Sequence, residues 1–248
     1  TSCAGCHDSL IWYDTSVVGT AMVSLIITVF NESATIVQLL ESIATQAQLP
    51  DEVVIVDAAS TDGTVGMVTM FCQKHPELSI RVFGKPGNRS VGRNLAIRHA
   101  SHDIIAATDA GCILDAHWLE ELMKPFRLPE VDFVGGWYQP IAQTRWQQSL
   151  ATVLHFTPPD TSRKSFLPST RSMAFRKSLW KKIGGFDERL SHNEDTPFSL
   201  QMVRQAKKYV IVPTAIVRWR LVSGYRQLYR MMYRYSEGDG FARLFFLH

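Results

Sequence analysis

The sequence lacks most of what marks a secreted, membrane-spanning or nucleic-acid-binding chain. It has 4 cysteines in 248 residues: Cys3, Cys6, Cys72 and Cys112. That is no disulfide framework, and a reduced setting is the default. No long apolar run exists. The longest, Ala21 to Phe30, falls far short of the roughly 20 residues that span a bilayer. The opening residues do not follow the secretory-signal pattern. Charge of one sign is missing as well: 26 Lys and Arg against 23 Asp and Glu give +3. That is too little to indicate a nucleic-acid partner. With 15 glycines and 11 prolines, collagen-like and low-complexity chains are excluded.

Several signatures are absent too. The first strand candidate is followed by Phe30-Asn-Glu-Ser33 rather than G-x-G-x-x-G, which counts against a dinucleotide-binding Rossmann domain. That loop is not the Gly- and Lys/Arg-rich loop of a nucleotidyltransferase either. There is no G-x-x-x-x-G-K-[ST] and no G-x-S-x-G, so a P-loop NTPase and an α/β-hydrolase drop out. Cys3-Ala-Gly-Cys6-His7 matches the c-type haem attachment pattern. Haem attachment needs an exported chain and a haem domain around it, and no second ligand pair follows at zinc-finger spacing. Residues 1–21 are read as an incidental, flexible extension.

What is present is globular composition, 46% hydrophobic and 20% charged, with length for one or two domains and a self-sufficient core. Val23–Val29 and Val53–Val56 are β-branched runs of strand length, and Ile80–Phe83 and Asp103–Thr108 are further strands. Ile36, Leu39, Leu40 and Ile43 recur at helical spacing, with Ser33 placed to cap them. Helices are predicted over 64–74, 91–99 and 116–126. Strand–helix alternation implies βαβ units and a mainly parallel sheet. Beyond Val131 the pattern loosens: strand over 132–138, helix over 143–155, a mobile loop over 157–170. An amphipathic helix over 194–205, short strands over 209–212 and 215–219, and a last helix from about Tyr225 follow. Trp118, Trp137 and Trp180 are read as core.

In an open α/β sheet, ligands gather at the carboxyl ends of strands. Here those ends carry Thr28, Asn31, Asp57 and Asp109. Two carboxylates at strand ends suit a nucleotide: one accepts hydrogen bonds from a base or ribose, and the other holds a divalent cation on phosphates.

Four segments then resemble one family in order and spacing. Val54-Ile-Val-Asp57-Ala-Ala-Ser60-Thr-Asp-Gly63 is similar to the nucleotide-binding strand and turn of family 2 glycosyltransferases. Gly92-Arg93-Asn94 resembles their Arg-Asn helix start. Ala107-Thr-Asp109-Ala-Gly111 sits where they carry D-x-D. Gly184-Gly-Phe-Asp187-Glu188 with Glu194-Asp195 resembles their acceptor-side segment and base motif. The resemblance runs from about Val23 to Val217. It implies a GT-A fold (a mixed, mainly parallel sheet flanked by helices), a nucleotide-diphospho-sugar donor, and inversion at the anomeric carbon. Thr28 and Phe30, with Asn31 beside them, would line the base pocket. Asp57 would bond the base, Arg93 would face the nucleotide, and Asp109 would meet Mg²⁺ or Mn²⁺. Asp195 would be the general base, with Glu194 beside it.

The chain departs from the family pattern in three places. Ala58 replaces a second acid after Asp57. Gly111 leaves Asp109 as the lone carboxylate of its motif. Arg218-Trp219-Arg220 stands where many members have a His, and Arg218 is assigned to the donor diphosphate. Arg163, Lys164 and Arg171 are solvated loop residues or close over that diphosphate. Gln227-Leu-Tyr-Arg230-Met231 matches the processive Q-x-x-R-W except in its last residue, with Arg234-Tyr235 as an offset alternative.

The expected organisation is an extension over 1–21, a catalytic domain over 22–220 and a C-terminal helical segment over 221–248. The domain divides into a nucleotide half over 22–130 and an acceptor half over 131–220. The chain itself is expected to belong to a longer protein. The donor is a UDP-sugar by preference or a GDP-sugar. The acceptor is a glycan or lipid-linked molecule, met in the cytoplasm at the inner membrane face, with the last helix on the membrane surface. The rival expectation is a catalytically silent nucleotide-sugar-binding or scaffold domain of the same fold.

Overall fold

The computed structural model describes residues 21–154, 166–242 and 244. Strands are β1 (Val23–Val29), β2 (Glu52–Asp57), β3 (Ile80–Gly84), β4 (Ile104–Ala107), β5 (Cys112–Leu114), β6 (Phe133–Ile141), β7 (Met173–Arg176) and β8 (Tyr209–Arg220). Helices are α1 (Ile36–Ala44), α2 (Thr64–Lys74), α3 (Arg89–His99), α4 (Trp118–Met123), α5 (Arg145–Val153), α6 (Lys177–Ile183), α7 (Asp195–Gln205) and α8 (Tyr225–Ala242).

Among the described residues the strands form one sheet in the order β3-β2-β1-β4-β7-β6-β8-β5. The β3-β2-β1-β4 half is parallel throughout. β7 pairs antiparallel with both β4 and β6, and β5 with β8, while β6 and β8 are parallel. The mixed, mainly parallel sheet is therefore as expected.

Parallel strands covered on both faces read as unbroken apolar runs rather than alternating ones. In β1 and β2, Leu25, Ile27, Val53 and Ile55 join one core with α1, α2 and α4. Ile26, Val54 and Val56 join a second core with α3, α6 and α7. Trp118 is buried in the first core and Trp180 in the second, and Trp137 is buried as well.

The structure adds β5, β7 and α6 to the predicted elements. It also fuses the two late strands into β8, which runs through Pro213. The pairing of β6 with β8 shifts register between Gly135 and Trp137, which absorbs the proline without ending the strand. Ser33 caps nothing: α1 starts after Thr35 with no side-chain cap, and the Ser33 N–H donates to Asp62 instead. Residues 1–20, with Cys3, Cys6 and His7, lie outside the described residues, as do Arg163 and Lys164.

Candidate active site

Two cavities open at the carboxyl edge of the parallel half. The first, about 580 Å³, is lined by Thr28, Phe30, Ala58, Gly92, Trp219 and Arg220 among others. The second, about 350 Å³, is lined by Tyr138, Ser169, Thr170, Glu194, Asp195 and Tyr235 among others. Arg89, Asp109 and Arg171 line both, so these three form the junction.

Loops after β1 and β2 build the far wall of the first cavity. The Asn31 N–H donates to Ser60 Oγ (2.9 Å), and Asn31 Oδ1 accepts from the Thr61 N–H (2.9 Å). Asp62 accepts from the Ser33 N–H and from Thr64. These bonds, led by the one from the Thr64 hydroxyl, hold its carboxyl far below the usual range. The two loops are thus stapled together. Asp57 Oδ2 accepts from the Ser60 N–H (3.0 Å), while its Oδ1 is buried with no hydrogen-bond partner among the described residues. A buried acceptor left unsatisfied costs about 1–3 kcal/mol.

Three successive residues of α3 each have a separate task. A Cβ on Gly92 would lie 2.9 Å from Thr28 Cγ2, so glycine lets α3 press against the end of β1. Asn94 spends its whole amide on α6 and the segment after it. It accepts from Trp180 Nε1 (3.2 Å) and the Phe186 N–H (3.0 Å), and donates to the Phe186 carbonyl and Glu188 (both 2.9 Å). Arg93 reaches the junction. Its Nη2 donates to Asp109 Oδ1 (2.8 Å) and its Nη1 pairs with Glu194.

Burial opposes the Arg93 charge, but Asp109, Glu194 and Asp195 outweigh it and hold the guanidinium firmly protonated. Burial likewise pushes the Asp109 carboxyl up, while Arg93, Arg171 and Arg89 together pull it below its ordinary value. Arg171 stands opposite. Its guanidinium lies 4.5 Å from the Trp219 ring centre and 5.6 Å from that of Tyr138, and donates to Ser169 Oγ (3.1 Å).

Asp195 opens α7 and accepts from Ser169 Oγ at 2.8 Å. The chain enters α7 through Asn193, whose φ is +54°. Its Oδ1 accepts from Thr196, and its amide pairs with Asp239 of α8. Asn31 (+54°) and Ala59 (+68°) are the other described non-glycine residues in the left-handed region. All three flank the cavities, where strained backbone tends to collect.

Helix α8 closes the site. Arg234 reaches the first cavity and Tyr235 the second. Gly238 is buried against His192 and Asn193. His192 lines the first cavity, and burial together with Arg234 and Arg89 lowers its pKa.

Thr28, Phe30, Asp109 and Asp195 line the cavities, and Asp57 sits between the lining residues Val56 and Ala58. The other expected site residues are held by protein partners. Asn31 fastens the loops. Arg93 and Glu194 line the second cavity while paired with each other. Arg218 pairs with Asp115 outside both cavities (3.1 Å), while Trp219 and Arg220 line the first. Gln227 accepts from Ser223, and neither it nor Arg230 lines a cavity. Arg171, one of three cations in a loop by sequence, is the residue the sequence undervalued. Its aromatic partners come from β6 and β8, and no local pattern announces them.

The divalent cation implied at Asp109 does not fit these residues. No group of three or more His, Cys, Asp or Glu gathers among the described residues. One oxygen of the single carboxylate already accepts from Arg93, and three guanidinium groups bear on it. A further cation there meets like charge.

Residues 24–185 match the model of glycosyl transferase family 2. Glycosyltransferase AglE of Haloferax volcanii is 32% identical over 116 residues, 46% of this chain and 38% of that protein. The O-antigen chain rhamnosyltransferase RfbN of Salmonella typhimurium is 23% identical over 214 residues, 79% of this chain and 65% of that protein. Among solved structures, S. aureus TarS 1-349 in complex with UDP superposes with TM-score 0.65 at 19% identity, covering 88% of this chain and 65% of that one. The mannosyltransferase PcManGT from Pyrobaculum calidifontis, in complex with GDP-Man and Mn²⁺, gives 0.66 at 24%, covering 84% and 59%. These likenesses show the GT-A fold, and the chain spans less than two thirds of the length of each.

Proposed function

The chain belongs to glycosyl transferase family 2, and from that premise we propose that it moves a sugar from a nucleotide-diphospho-sugar to an acceptor hydroxyl with inversion. The observation that carries this is the pair of cavities sharing one charged junction, with the Asp195 carboxylate lining the second. The nucleotide lies in the first. Thr28 and Phe30 flank the base, and one of its N–H groups satisfies the orphaned Asp57 Oδ1. The acceptor hydroxyl enters the second cavity.

Asp195 takes the hydroxyl proton while the acceptor oxygen bonds to the anomeric carbon. The bond from that carbon to the phosphate oxygen breaks in the same step, and the nucleoside diphosphate leaves. A positioned base contributes about 10²–10⁴-fold. Ser169, bonded to Asp195, holds that carboxylate in place.

UDP is favoured as the nucleotide, with GDP as the alternative; the solved neighbours are described with UDP, UDP-GlcNAc and GDP-Man. The acceptor is a glycan or a lipid-linked molecule at the inner membrane face, which the exposed Tyr229, Met232 and Tyr233 of α8 would meet. Among the described residues no helix is long and apolar enough to cross a membrane.

The test is release of nucleoside diphosphate from UDP- and GDP-sugars with a panel of glycan acceptors. Asp195→Asn should abolish turnover and leave nucleotide affinity unchanged. The lone Asp109 favours a second reading, a silent nucleotide-sugar-binding domain. It predicts donor binding with no turnover by the wild type.

A further inference from the structure

The junction must face the diphosphate, on the reading above, because the base lies in one cavity and the anomeric carbon in the other. Its members are Arg89, Asp109 and Arg171. Asp109 and Glu194 are both spent on Arg93. Arg171 and Arg89 make no ion pair among the described residues, and Asp109 and Asp195 act on Arg171 only at longer range, so two guanidinium groups at the junction can meet an anion.

We propose that Arg171, supported by Arg89, neutralises the charge on the departing diphosphate, and that donor binding and transfer in this chain need no divalent cation. The proposal rests on the glycosyltransferase reading and adds to it the group that stabilises the leaving phosphate.

Arg171 is built for that task. The Trp219 and Tyr138 rings fix its guanidinium, and among the described residues its hydrogen bond goes to Ser169. A guanidinium has five N–H donors in one plane. Among the described residues no other hydrogen bond engages that guanidinium, which leaves an edge to meet two phosphate oxygens side by side, the geometry in which arginine exceeds lysine. Held before the substrate arrives, such a donor costs no reorganisation as charge develops. Arg89, exposed at the start of α3, stands at the other side of the junction.

The experiment is calorimetric titration of UDP, GDP and UMP into the full chain, once in EDTA and once with Mn²⁺. It is repeated with Arg171→Gln and Arg89→Gln. The expected result is a diphosphate Kd that agrees between EDTA and Mn²⁺ within about threefold. Arg171→Gln should weaken diphosphate binding about 10- to 100-fold, the span of a lost charge-assisted contact, while changing UMP binding little. Arg89→Gln should act in the same direction and decides the matter if Arg171→Gln does not fold. Diphosphate binding that requires Mn²⁺, or that survives both substitutions unchanged in EDTA, overturns the proposal. Absence of nucleotide binding under both conditions overturns the donor reading itself, and this proposal with it.

Discussion

Arg93 and Glu194, 101 residues apart in sequence, meet as an ion pair in which each side chain is 4% exposed. The pair ties the start of α3 to the entry of α7 and so fixes the distance between the nucleotide half and Asp195. Both Glu194 and Asp195 line the second cavity, but Glu194 is paired with Arg93 whereas Asp195 accepts from Ser169.

Breaking a buried pair from one side leaves an uncompensated charge and costs about 3–5 kcal/mol. Urea unfolding of Arg93→Met should show a loss of that order. Arg93→Met combined with Glu194→Leu should lose less than the sum of the single changes, because the pair fails as a unit. Additive losses would contradict the coupling.

The seat of α8 is Gly238. A Cβ there would run into the His192 carbonyl, and the backbone of the 192–193 segment cannot give way without moving Asn193. Gly238→Ala should therefore loosen α8. Hydrogen exchange over 225–242 should rise, and the Arg234 and Tyr235 walls should be lost, with weaker binding of both substrates. Unchanged exchange would show that α8 is held elsewhere.

Glu52 carries a pH-dependent share of the stability. It is buried at the start of β2, where it pairs with Arg81 and accepts from Ser24 (2.6 Å) and from Ser101. Burial pushes its pKa up, but those bonds, led by Ser24, leave it below the ordinary 4.5. A lowered folded-state pKa means stabilisation present above the unfolded value and lost as pH falls through the folded one. Stability measured by denaturant should drop as pH falls below about 4.5. Glu52→Gln should cost about 1–3 kcal/mol at pH 7 and flatten that acid limb. An acid limb unchanged in the variant would assign it to other carboxylates.

Gly92 sets how closely α3 approaches the base pocket. Gly92→Ala should push Thr28 into the first cavity, destabilise the fold by about 1–3 kcal/mol and weaken nucleotide binding. Stability loss with unaltered affinity would remove Thr28 from the pocket wall.

The parallel half was legible because its strands are covered on both faces. Val23–Val29 and Val53–Val56 had to be apolar runs, and Asp57, which ends the second, stood out. β5 and β7 were not legible. Cys112–Leu114 and Met173–Arg176 are short and owe their extended form to antiparallel partners in β8, β4 and β6. The site followed the same division. Asp109 stood out by its strand-end position and Asp195 through the family resemblance, and both line the cavities. Arg93 was expected to face the nucleotide; its ion pair with Glu194 is purely tertiary, and no local pattern shows it. Arg218 and Arg220 were indistinguishable in sequence; tertiary partners separate them, Asp115 holding Arg218 while Arg220 lines the first cavity. Arg171 gained its place only when two distant aromatic rings closed on it.

The central claim is a nucleotide-diphospho-sugar site whose base pocket ends at Asp57. Its most direct test is calorimetric titration of UDP, GDP and dTDP into the wild-type chain and into Asp57→Ala. The account predicts saturable binding of one of these nucleotides, UDP by preference, and a loss of about 10-fold or more when the buried acceptor is removed. No binding by a folded wild-type chain, or equal affinity in Asp57→Ala, would contradict it.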